Sequence, residues 1–200
     1  MPDQKLKARF IEPMLLEPAA NLPEGGAWVY ELKLDGFRAV AFKTGGRIYL
    51  RSRNDKDFNA RYPAIAQALT AIPDETVIDG EIVALESGRP SFNALQNYET
   101  ATLIYYVFDV MILAGKDVMN EPLGVRRQLL EENVLAKLGE PIRESPELDA
   151  SLPDLISSIK AHGLEGLVAK RRDSRYEPGQ RSGAWQKMRV NRGQPFVIGG

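Results

Sequence analysis

The feature of this sequence that most constrains its fold is an alternating run over residues 28–35 that ends at a glycine. Apolar side chains occupy the even positions, and Val29, Glu31, Lys33 and Asp35 occupy the odd ones. Because successive side chains of a strand point to opposite faces, this period of two predicts a β-strand with Glu31, Lys33 and Asp35 on one face. The Asp35-Gly36 pair then predicts a turn.

A lysine held among other charged groups can serve as a nucleophile. Free lysine has a pKa of about 10.4 and is mostly protonated at neutral pH, so it needs burial or a neighbouring cation to lower that pKa. Lys187 and Arg189 are candidate cations, because residues two apart on a strand share one face. The same residues are also compatible with a strand whose charged face around Lys33 is solvated, and with an exposed basic strand that carries Lys187 and Arg189. The functional and the structural interpretation of each strand therefore stay open.

Short strands with helices between them follow along the chain. Strands are predicted over residues 28–42, 47–53, 76–85, 104–113, 166–170 and 185–190, the first two forming a hairpin through Thr44-Gly45-Gly46. Helices are predicted over residues 59–72, 124–138 and 153–162. This order predicts an α+β fold with antiparallel sheets and not a doubly wound α/β fold.

The spacing of apolar residues predicts which side chains of these elements are buried. The stripe of the first helix is formed by Ile65, Leu69 and Ile72. The second helix is expected to turn inward Val125, Leu129, Leu130 and Val134. Alternation in the strand over residues 104–113 places on one face Tyr106, Phe108 and Val110. His162, the only histidine, is expected to cap the third helix before Gly163.

The composition excludes several kinds of site. The 200 residues include no cysteine, which excludes disulfides, zinc–thiolate centres and cysteine nucleophiles and suits a reducing cytoplasm. The longest apolar stretch, over residues 103–114, contains Asp109 and is too short to span a bilayer. No membrane association is expected.

The charge of the chain is unevenly distributed although its net value is only −1. Residues 31–57 hold seven Lys/Arg against four Asp/Glu, and residues 170–192 hold eight against two. These two basic segments predict a surface that faces phosphates. The alternative is a solvated loop whose charge serves solubility.

Six blocks of the sequence resemble, in order, the motifs of the covalent nucleotidyltransferases, the family of ATP-dependent DNA ligases, RNA ligases and mRNA capping enzymes. The blocks are K-x-D-G-x-R at 33–38, S-R-N at 52–54, D-G-E at 79–81, F-D at 108–109, E-G-L-V-A-K at 165–170 and W-Q-K-M-R at 185–189. The resemblance is strongest to the ATP-dependent DNA ligases, in particular to the ligase domain of the bacterial end-joining ligase D. It implies an α+β nucleotidyltransferase fold in which two antiparallel sheets, flanked by helices, hold the nucleotide between them.

The resemblance also implies a reaction. Lys33 attacks the α-phosphorus of ATP, releases pyrophosphate and carries AMP as a covalent lysyl-AMP intermediate. The AMP then passes to the 5′-phosphate of a nick in double-stranded DNA, and the adjacent 3′-hydroxyl displaces it. Asp35 and Lys187 are expected to assist Lys33, and Glu165 with Glu81 is expected to bind Mg²⁺ or Mn²⁺. From the residues alone, these glutamates could instead pair with basic neighbours.

The resemblance assigns the nucleotide contacts as well. Phe108 is expected to stack on adenine with Val168 opposite, although an aromatic residue in a strand is more often part of the core. Glu31 is expected to accept a hydrogen bond from the exocyclic amine of adenine, which argues against a GTP-using capping enzyme. The other expected nucleotide contacts are Leu32, Arg38, Arg53, Glu81, Lys170, Lys187 and Arg189.

The expected domain division is a nucleotidyltransferase domain over residues 1–190, followed over residues 191–200 by a linker and the start of a truncated OB-fold domain. A fragment of this kind is expected to adenylate slowly or to be isolated already carrying AMP. The expected partners are nicked DNA and polymerase or nuclease modules or an end-binding protein, for a monomer in the bacterial cytoplasm at the nucleoid. An RNA ligase, or a nucleotide- or DNA-binding module without turnover, is the alternative.

Overall fold

The computed structural model describes residues 5–91, 94–95 and 101–191 and contains two β-sheets. The smaller sheet has four strands: β1 (Glu17–Pro18), β2 (Trp28–Leu32), β10 (Gly166–Arg171) and β11 (Trp185–Arg189). The larger sheet has seven strands: β3 (Phe37–Thr44), β4 (Arg47–Ser52), β5 (Thr76–Glu86), β6 (Arg89–Pro90), β7 (Thr102–Leu113), β8 (Lys116–Asp117) and β9 (Ile142–Glu144). The predicted α+β class is confirmed.

The strand order is β1-β11-β10-β2 in the smaller sheet and β4-β3-β5-β7-β8 in the larger one, where β6 pairs with β5 and β9 with β7. Two pairs are parallel, β1 with β11 and β7 with β9. Every other pair in the described part of the chain is antiparallel, as the alternating strand patterns predict.

The predicted strand over residues 28–42 is wrong, because the chain leaves one sheet and enters the other in its middle. Strand β2 ends at Leu32 and β3 begins at Phe37 in the larger sheet. Gly36 lies at this crossing, where a β-carbon would come within 2.2 Å of the carbonyl oxygen of Ile82. Only glycine allows this close approach, and the crossing leaves Lys33 between the two sheets. The predicted hairpin survives as β3 and β4.

Besides the helical residues Ala94 and Leu95, longer helices and short 3₁₀ segments accompany the sheets in the described residues. They are α1 (Pro63–Ala68) followed by a 3₁₀ segment (Leu69–Ala71), α2 (Leu123–Asn133) followed by a 3₁₀ segment (Leu135–Lys137), and α3 (Leu152–Ala161). The first predicted helix begins four residues late, at Pro63, because proline suits the first turn, where no hydrogen bond is lost. Its stripe of Ile65, Leu69 and Ile72 is buried as predicted. His162 is the C-cap of α3, also as predicted.

The inward face of α2 differs from its predicted face. Val125, expected inside, is 41% exposed, whereas Arg126 and Arg127 are buried beside Leu123 and Leu130. The arginines are buried because each forms an ion pair with a buried carboxylate, Arg126 with Asp109 and Arg127 with Glu31.

Strand β7 carries two bulges that break the predicted alternation. Its residues Val107 and Asp109 face consecutive residues of β5, so Phe108 is the additional residue between them. The bulge places Phe108 in the apolar cluster between the sheets, while Val110 packs with Val107 in the cluster on the far side of the larger sheet. The prediction that Phe108 and Val110 share a face is therefore wrong. Bulges commonly re-aim a side chain next to a functional site.

Three apolar clusters support this architecture. One lies between the larger sheet and helices α1 and α2, a second lies between the two sheets around Phe108 and Trp185, and a third packs α3 against the smaller sheet. In the part of the chain that the structure describes, no helix has the length and apolarity to cross a membrane.

Candidate active site

The two sheets enclose a cavity of about 420 Å³. Ten of the predicted site residues line it: Glu31, Leu32, Lys33, Arg38, Arg53, Glu81, Phe108, Val168, Lys170 and Lys187. These residues come from both sheets, from the segment that crosses between them and, for Arg53, from the turn that follows β4. The structure thus brings together side chains that lie up to 156 positions apart in the sequence.

The remaining three predicted residues, Asp35, Glu165 and Arg189, line a second cavity of about 360 Å³. Lys33 lines both cavities and its side chain is only 13% exposed. The candidate nucleophile therefore stands at the junction. Of the two predicted metal ligands, Glu165 lines the second cavity and Glu81 the main one, and the predicted nucleotide contact Arg189 lies with Glu165.

The ammonium of Lys33 is held by a carboxylate. Its Nζ donates to Oε1 of Glu165 at 2.7 Å, and Nε of Arg189 lies 3.1 Å from the same oxygen. The backbone fixes this arrangement, because the amide of Lys33 donates to the carbonyl of Gly166 at 2.9 Å and Gly166 faces Arg189 across the sheet. The second oxygen of Glu165, Oε2, is buried without a hydrogen-bond partner among the described residues.

A row across the smaller sheet presents three predicted contacts to the main cavity. Val168 of β10 pairs with Glu31 of β2 on one side and with Lys187 of β11 on the other. Directly paired residues project on the same face, and neighbouring strands are about 4.8 Å apart. The row therefore sets a carboxylate, an apolar side chain and an ammonium side by side.

Lys187 lies in a strongly positive environment. Its pKa is lowered first by burial and then by the positive charges of Lys33, Arg181 and Arg189, with Arg53 also contributing. Within residues 5–91, 94–95 and 101–191, no carboxylate lies within ion-pair distance of Lys187. This end of the cavity concentrates positive charge, as a triphosphate would require.

Two carboxyl groups near Lys33 resist ionisation. Burial raises the pKa of Glu81 to about 7, against the opposing effects of Arg38 and Lys33. The pKa of Asp35 is also raised, first by burial and then by the charge of Glu165. Groups of three or more metal-ligating side chains do not occur among the described residues.

At the opposite end of the main cavity, the ring of Phe108 is flanked by cations. The guanidinium carbon of Arg38 lies 4.7 Å from the ring centroid, and Nζ of Lys170 lies 4.1 Å from it. Lys170 also lies 4.5 Å from the centroid of Trp185, which packs edge-on against Phe108. Lys170, predicted to contact phosphate or ribose, thus sits at the aromatic end, where burial lowers its pKa.

Glu31 is buried at this end, and one of its two carboxylate oxygens already accepts two hydrogen bonds. Its Oε2 accepts hydrogen bonds from Nζ of Lys170 at 3.0 Å and from Oγ of Ser145 at 3.1 Å. Its Oε1 accepts one from Nη1 of Arg127 at 2.7 Å. Because a carboxylate oxygen has two lone pairs, Oε1 keeps one acceptor site.

Arg38 forms a bidentate ion pair with the buried carboxylate of Asp79. Its Nε and Nη2 donate to the two oxygens of Asp79 at 2.7 and 2.6 Å, and Tyr176 donates its hydroxyl to the same carboxylate at 2.6 Å. The bidentate pair fixes the guanidinium plane against Phe108. The predicted contact of Arg38 with phosphate or ribose remains a prediction.

The predicted contacts omit three residues that line the main cavity, Ser145, Arg181 and Trp185, although Trp185 stands in the block W-Q-K-M-R. They also omit Arg126 and Arg127, which lie behind the cavity wall. Arg127 lies 96 positions from Glu31, and Arg126 lies 17 positions from Asp109, its bidentate partner at 2.7 and 2.8 Å. The one available signal is that the two arginines interrupt the apolar stripe of the second helix.

Comparison with known proteins is consistent with this geometry. A sequence model of the ATP dependent DNA ligase domain matches residues 13–189. The chain is 38% identical over 184 residues to the multifunctional non-homologous end joining protein LigD of Pseudomonas aeruginosa, covering 89% of this chain and 22% of that protein. It is 35% identical over 205 residues to the LigD of Mycolicibacterium smegmatis, covering 100% and 26%. The chain therefore spans about a quarter of the length of these relatives.

Two solved structures that resemble this chain are also those of DNA ligase D proteins. A mycobacterial DNA ligase D complexed with ATP and MES superposes with a TM-score of 0.77 at 34% identity, over 90% of this chain and 60% of that one. The ligase domain of LigD from Mycobacterium tuberculosis superposes with a TM-score of 0.74 at 33% identity, over 88% and 58%. The predicted two-sheet fold is thus confirmed both by the architecture and by its structural neighbours.

Proposed function

This chain belongs to the ATP-dependent DNA ligase domain family, and we propose that it is the adenylation domain of a ligase that seals nicks in double-stranded DNA during end joining. One observation carries the proposal. Lys33 stands at the junction of two cavities, beside Glu165, with the cations Lys187 and Arg189 close by.

The chain's own groups support the first chemical step. The ammonium of Lys33 gives a proton to solvent water and leaves Glu165, and the free amine attacks the α-phosphorus of ATP. A P–N bond forms, the bond to the β-phosphate oxygen breaks, and pyrophosphate leaves with the electron pair. Lys187 and Arg53 stand where they can neutralise the leaving charge. The result is AMP bound covalently to Lys33.

The next two steps return the lysine to its free form. The 5′-phosphate of the nick attacks the phosphorus of the AMP, and the P–N bond breaks. The 3′-hydroxyl then attacks the activated 5′-phosphate, the strand is joined and AMP leaves. Positioning of the two ends and charge neutralisation supply the main part of such catalysis.

The aromatic end of the cavity suits the adenine base. Phe108 offers a ring face and Val168 an apolar surface, and both line the same cavity. Oε1 of Glu31 keeps an acceptor site that fits the exocyclic amine of adenine and repels the carbonyl oxygen of guanine. Leu32, Arg38, Lys170 and Glu81 complete the surroundings of the base and the ribose in this proposal.

A divalent cation fits the second cavity. The buried Oε2 of Glu165 has no hydrogen-bond partner among the described residues, and Mg²⁺ prefers oxygen ligands while keeping several of its waters. Glu165 would hold Mg²⁺ or Mn²⁺ in this cavity, with Asp35 holding a bound water, whereas Glu81, the other predicted ligand, would act from the main cavity on the other side of Lys33. When bound, such an ion would neutralise phosphate charge.

The proposal extends to the surroundings of the domain. We propose residues 1–190 as the adenylation domain; the linker and the start of an OB-fold domain predicted over residues 191–200 fall, from residue 192 on, outside the described residues. Nicked DNA, polymerase or nuclease modules and an end-binding protein are the proposed partners. The proposed setting is a monomer at the bacterial nucleoid, in the cytoplasm.

Intact-mass spectrometry tests the proposal directly. The protein, as isolated or after incubation with ATP and Mg²⁺, is expected to gain the mass of one AMP, which acid removes. Lys33→Ala should abolish this gain, while Lys137→Ala, at an exposed lysine away from both cavities, should keep it. AMP attached to another residue would overturn the assignment of Lys33. Comparing nicked duplexes with DNA and RNA 3′-hydroxyl strands then separates a DNA ligase from an RNA ligase.

A further inference from the structure

Behind the candidate base reader Glu31 lies a buried arginine, Arg127, whose guanidinium contacts four acceptors of the protein. Nη1 of Arg127 donates to Glu31 at 2.7 Å, and Nη2 donates to the carbonyl of Ser145 at 2.8 Å and to Glu144 at 3.1 Å. Nε lies 3.2 Å from a carboxylate oxygen of Glu147. A guanidinium held at four points has one orientation, so it acts as a rigid support.

The position of Arg127 matters because it binds Oε1 of Glu31. Oε2 of Glu31 is saturated by Lys170 and Ser145, so only Oε1 can accept a further hydrogen bond. Arg127 is the one group in the described chain that donates to Oε1. The direction of the remaining lone pair of Oε1 therefore depends on Arg127.

Arg127 connects two parts of the surface. Glu31 lines the main cavity, whereas Arg127 lines a separate groove of about 450 Å³ together with Glu131, Glu144 and Glu147. The arginine thus reaches Glu31 from behind the cavity wall and does not line the main cavity itself. Direct contact with a nucleotide in that cavity is not its role.

We propose that Arg127 is a positioning residue for base selection, which aims the free lone pair of Glu31 at the exocyclic amine of adenine. This inference rests on the proposed function, because it assumes that the cavity binds ATP. A lysine at this position keeps the charge but lacks the planar fork, so it does not hold Glu31 and the carbonyl of Ser145 in one fixed geometry.

The experiment compares self-adenylation with ATP and with purine riboside triphosphate, which lacks the 6-amino group. The quantity measured is the ratio of kcat/KM for the two nucleotides. For the wild type, this ratio is expected to be about 10 to 100, the range for one hydrogen bond to a charged acceptor. Arg127→Met and Arg127→Lys should lower the ratio to within about threefold of one.

The matched control is Arg172→Met. Arg172 pairs with Glu147, as Arg127 does, but makes no contact with Glu31, so the wild-type ratio is expected. Ser145→Ala removes one donor from Oε2 without removing a buried charge, and an intermediate ratio is expected. Thermal unfolding of each variant shows whether it folds. If Arg127→Met does not fold, Arg127→Lys and Ser145→Ala decide the question.

The outcomes separate this inference from the proposed function. A wild-type protein that takes no AMP from ATP overturns the proposed function. A wild type that adenylates but accepts both nucleotides equally overturns the inference alone. Folded Arg127→Lys and Ser145→Ala variants that keep the wild-type ratio also overturn it, since Arg127 would then only neutralise a buried carboxylate.

Discussion

The two ends of the main cavity differ in how completely their charges are paired. At the aromatic end, Glu31 is 2% exposed and receives three donors, and Asp109 nearby is fully buried against Arg126. The lysine end is taken together with the adjoining second cavity, which is lined by Glu165 and Arg189. There, among the described residues, Lys187 has no carboxylate within ion-pair distance and Oε2 of Glu165 has no hydrogen-bond partner. The charges at the aromatic end are paired within the protein, whereas Lys187 and Oε2 of Glu165 at the lysine end are left to pair with a bound ligand.

Burial and function explain this difference together. A charge removed from water must be paired or it destabilises the fold strongly, so the deep aromatic end pairs all of its charges. The lysine end is more exposed, with Arg189 at 69%, and it tolerates repulsion. Sites that bind a charged group commonly sacrifice stability in this way. The comparison therefore predicts that changes at the aromatic end alter folding and that changes at the lysine end alter activity.

The largest expected effect is at the aromatic end. Arg126→Met leaves the carboxylate of Asp109 buried without its cation, so the free energy of unfolding should fall by about 3–5 kcal/mol. Urea denaturation measures this change. Arg171→Met is the control, because its pair with Asp173 is exposed and should contribute less than about 1 kcal/mol. Equal effects of the two changes would break the comparison.

At the lysine end, Lys187→Met should slow self-adenylation about 100-fold, the effect of losing one charged contact to the reacting group. The melting temperature should stay the same or rise, because the ammonium is surrounded by Lys33, Arg181 and Arg189. Labelling with α-³²P-ATP and calorimetry measure the two quantities, with Lys137→Met as the control. A variant that loses activity only because it melts earlier would contradict the prediction.

Glu81 makes the stability depend on pH. Its pKa rises on folding from 4.5 to about 7, so between these pH values the folded protein holds a proton that the unfolded chain has released. The free energy of unfolding therefore falls as the pH rises through this window, by about 1–3 kcal/mol from this group. Glu81→Gln should flatten that part of the curve in urea denaturation between pH 5 and 8. An unchanged slope would show that Glu81 ionises normally.

The smallest effect is expected at the exposed edge of the lysine end. Arg189→Lys keeps the positive charge, and the arginine uses only one nitrogen on Glu165, at 3.1 Å. The rate of self-adenylation should change less than about threefold, since exposed ion pairs contribute little. A loss as large as that of Lys187→Met would show that the planar fork itself clamps the phosphates.

Much of the site was predictable because six blocks of the sequence resemble the motifs of one family, and local patterns added the positions of a few side chains. The spacing of Lys187 and Arg189 predicts that both lie on one strand, as they do in β11, and the Asp-Gly pair predicts the bend, but Lys33 lies past the end of β2 in the segment that crosses between the sheets. Ten of the predicted residues line one cavity. The buried stripe of α1 and the cap of α3 follow equally from spacing and capping rules.

The sequence by itself determined the strand periods, the fold class and the identity of the charged residues that meet between the sheets. Only the tertiary structure decided that residues 28–42 divide between two sheets, that a bulge turns Phe108 away from Val110, and that Arg126 and Arg127 are buried. The physical reason is the sequence separation over which each effect acts. Period and turn chemistry act over a few residues, whereas burial of an arginine is decided by a carboxylate as far as 96 positions away, which only the completed packing brings to it.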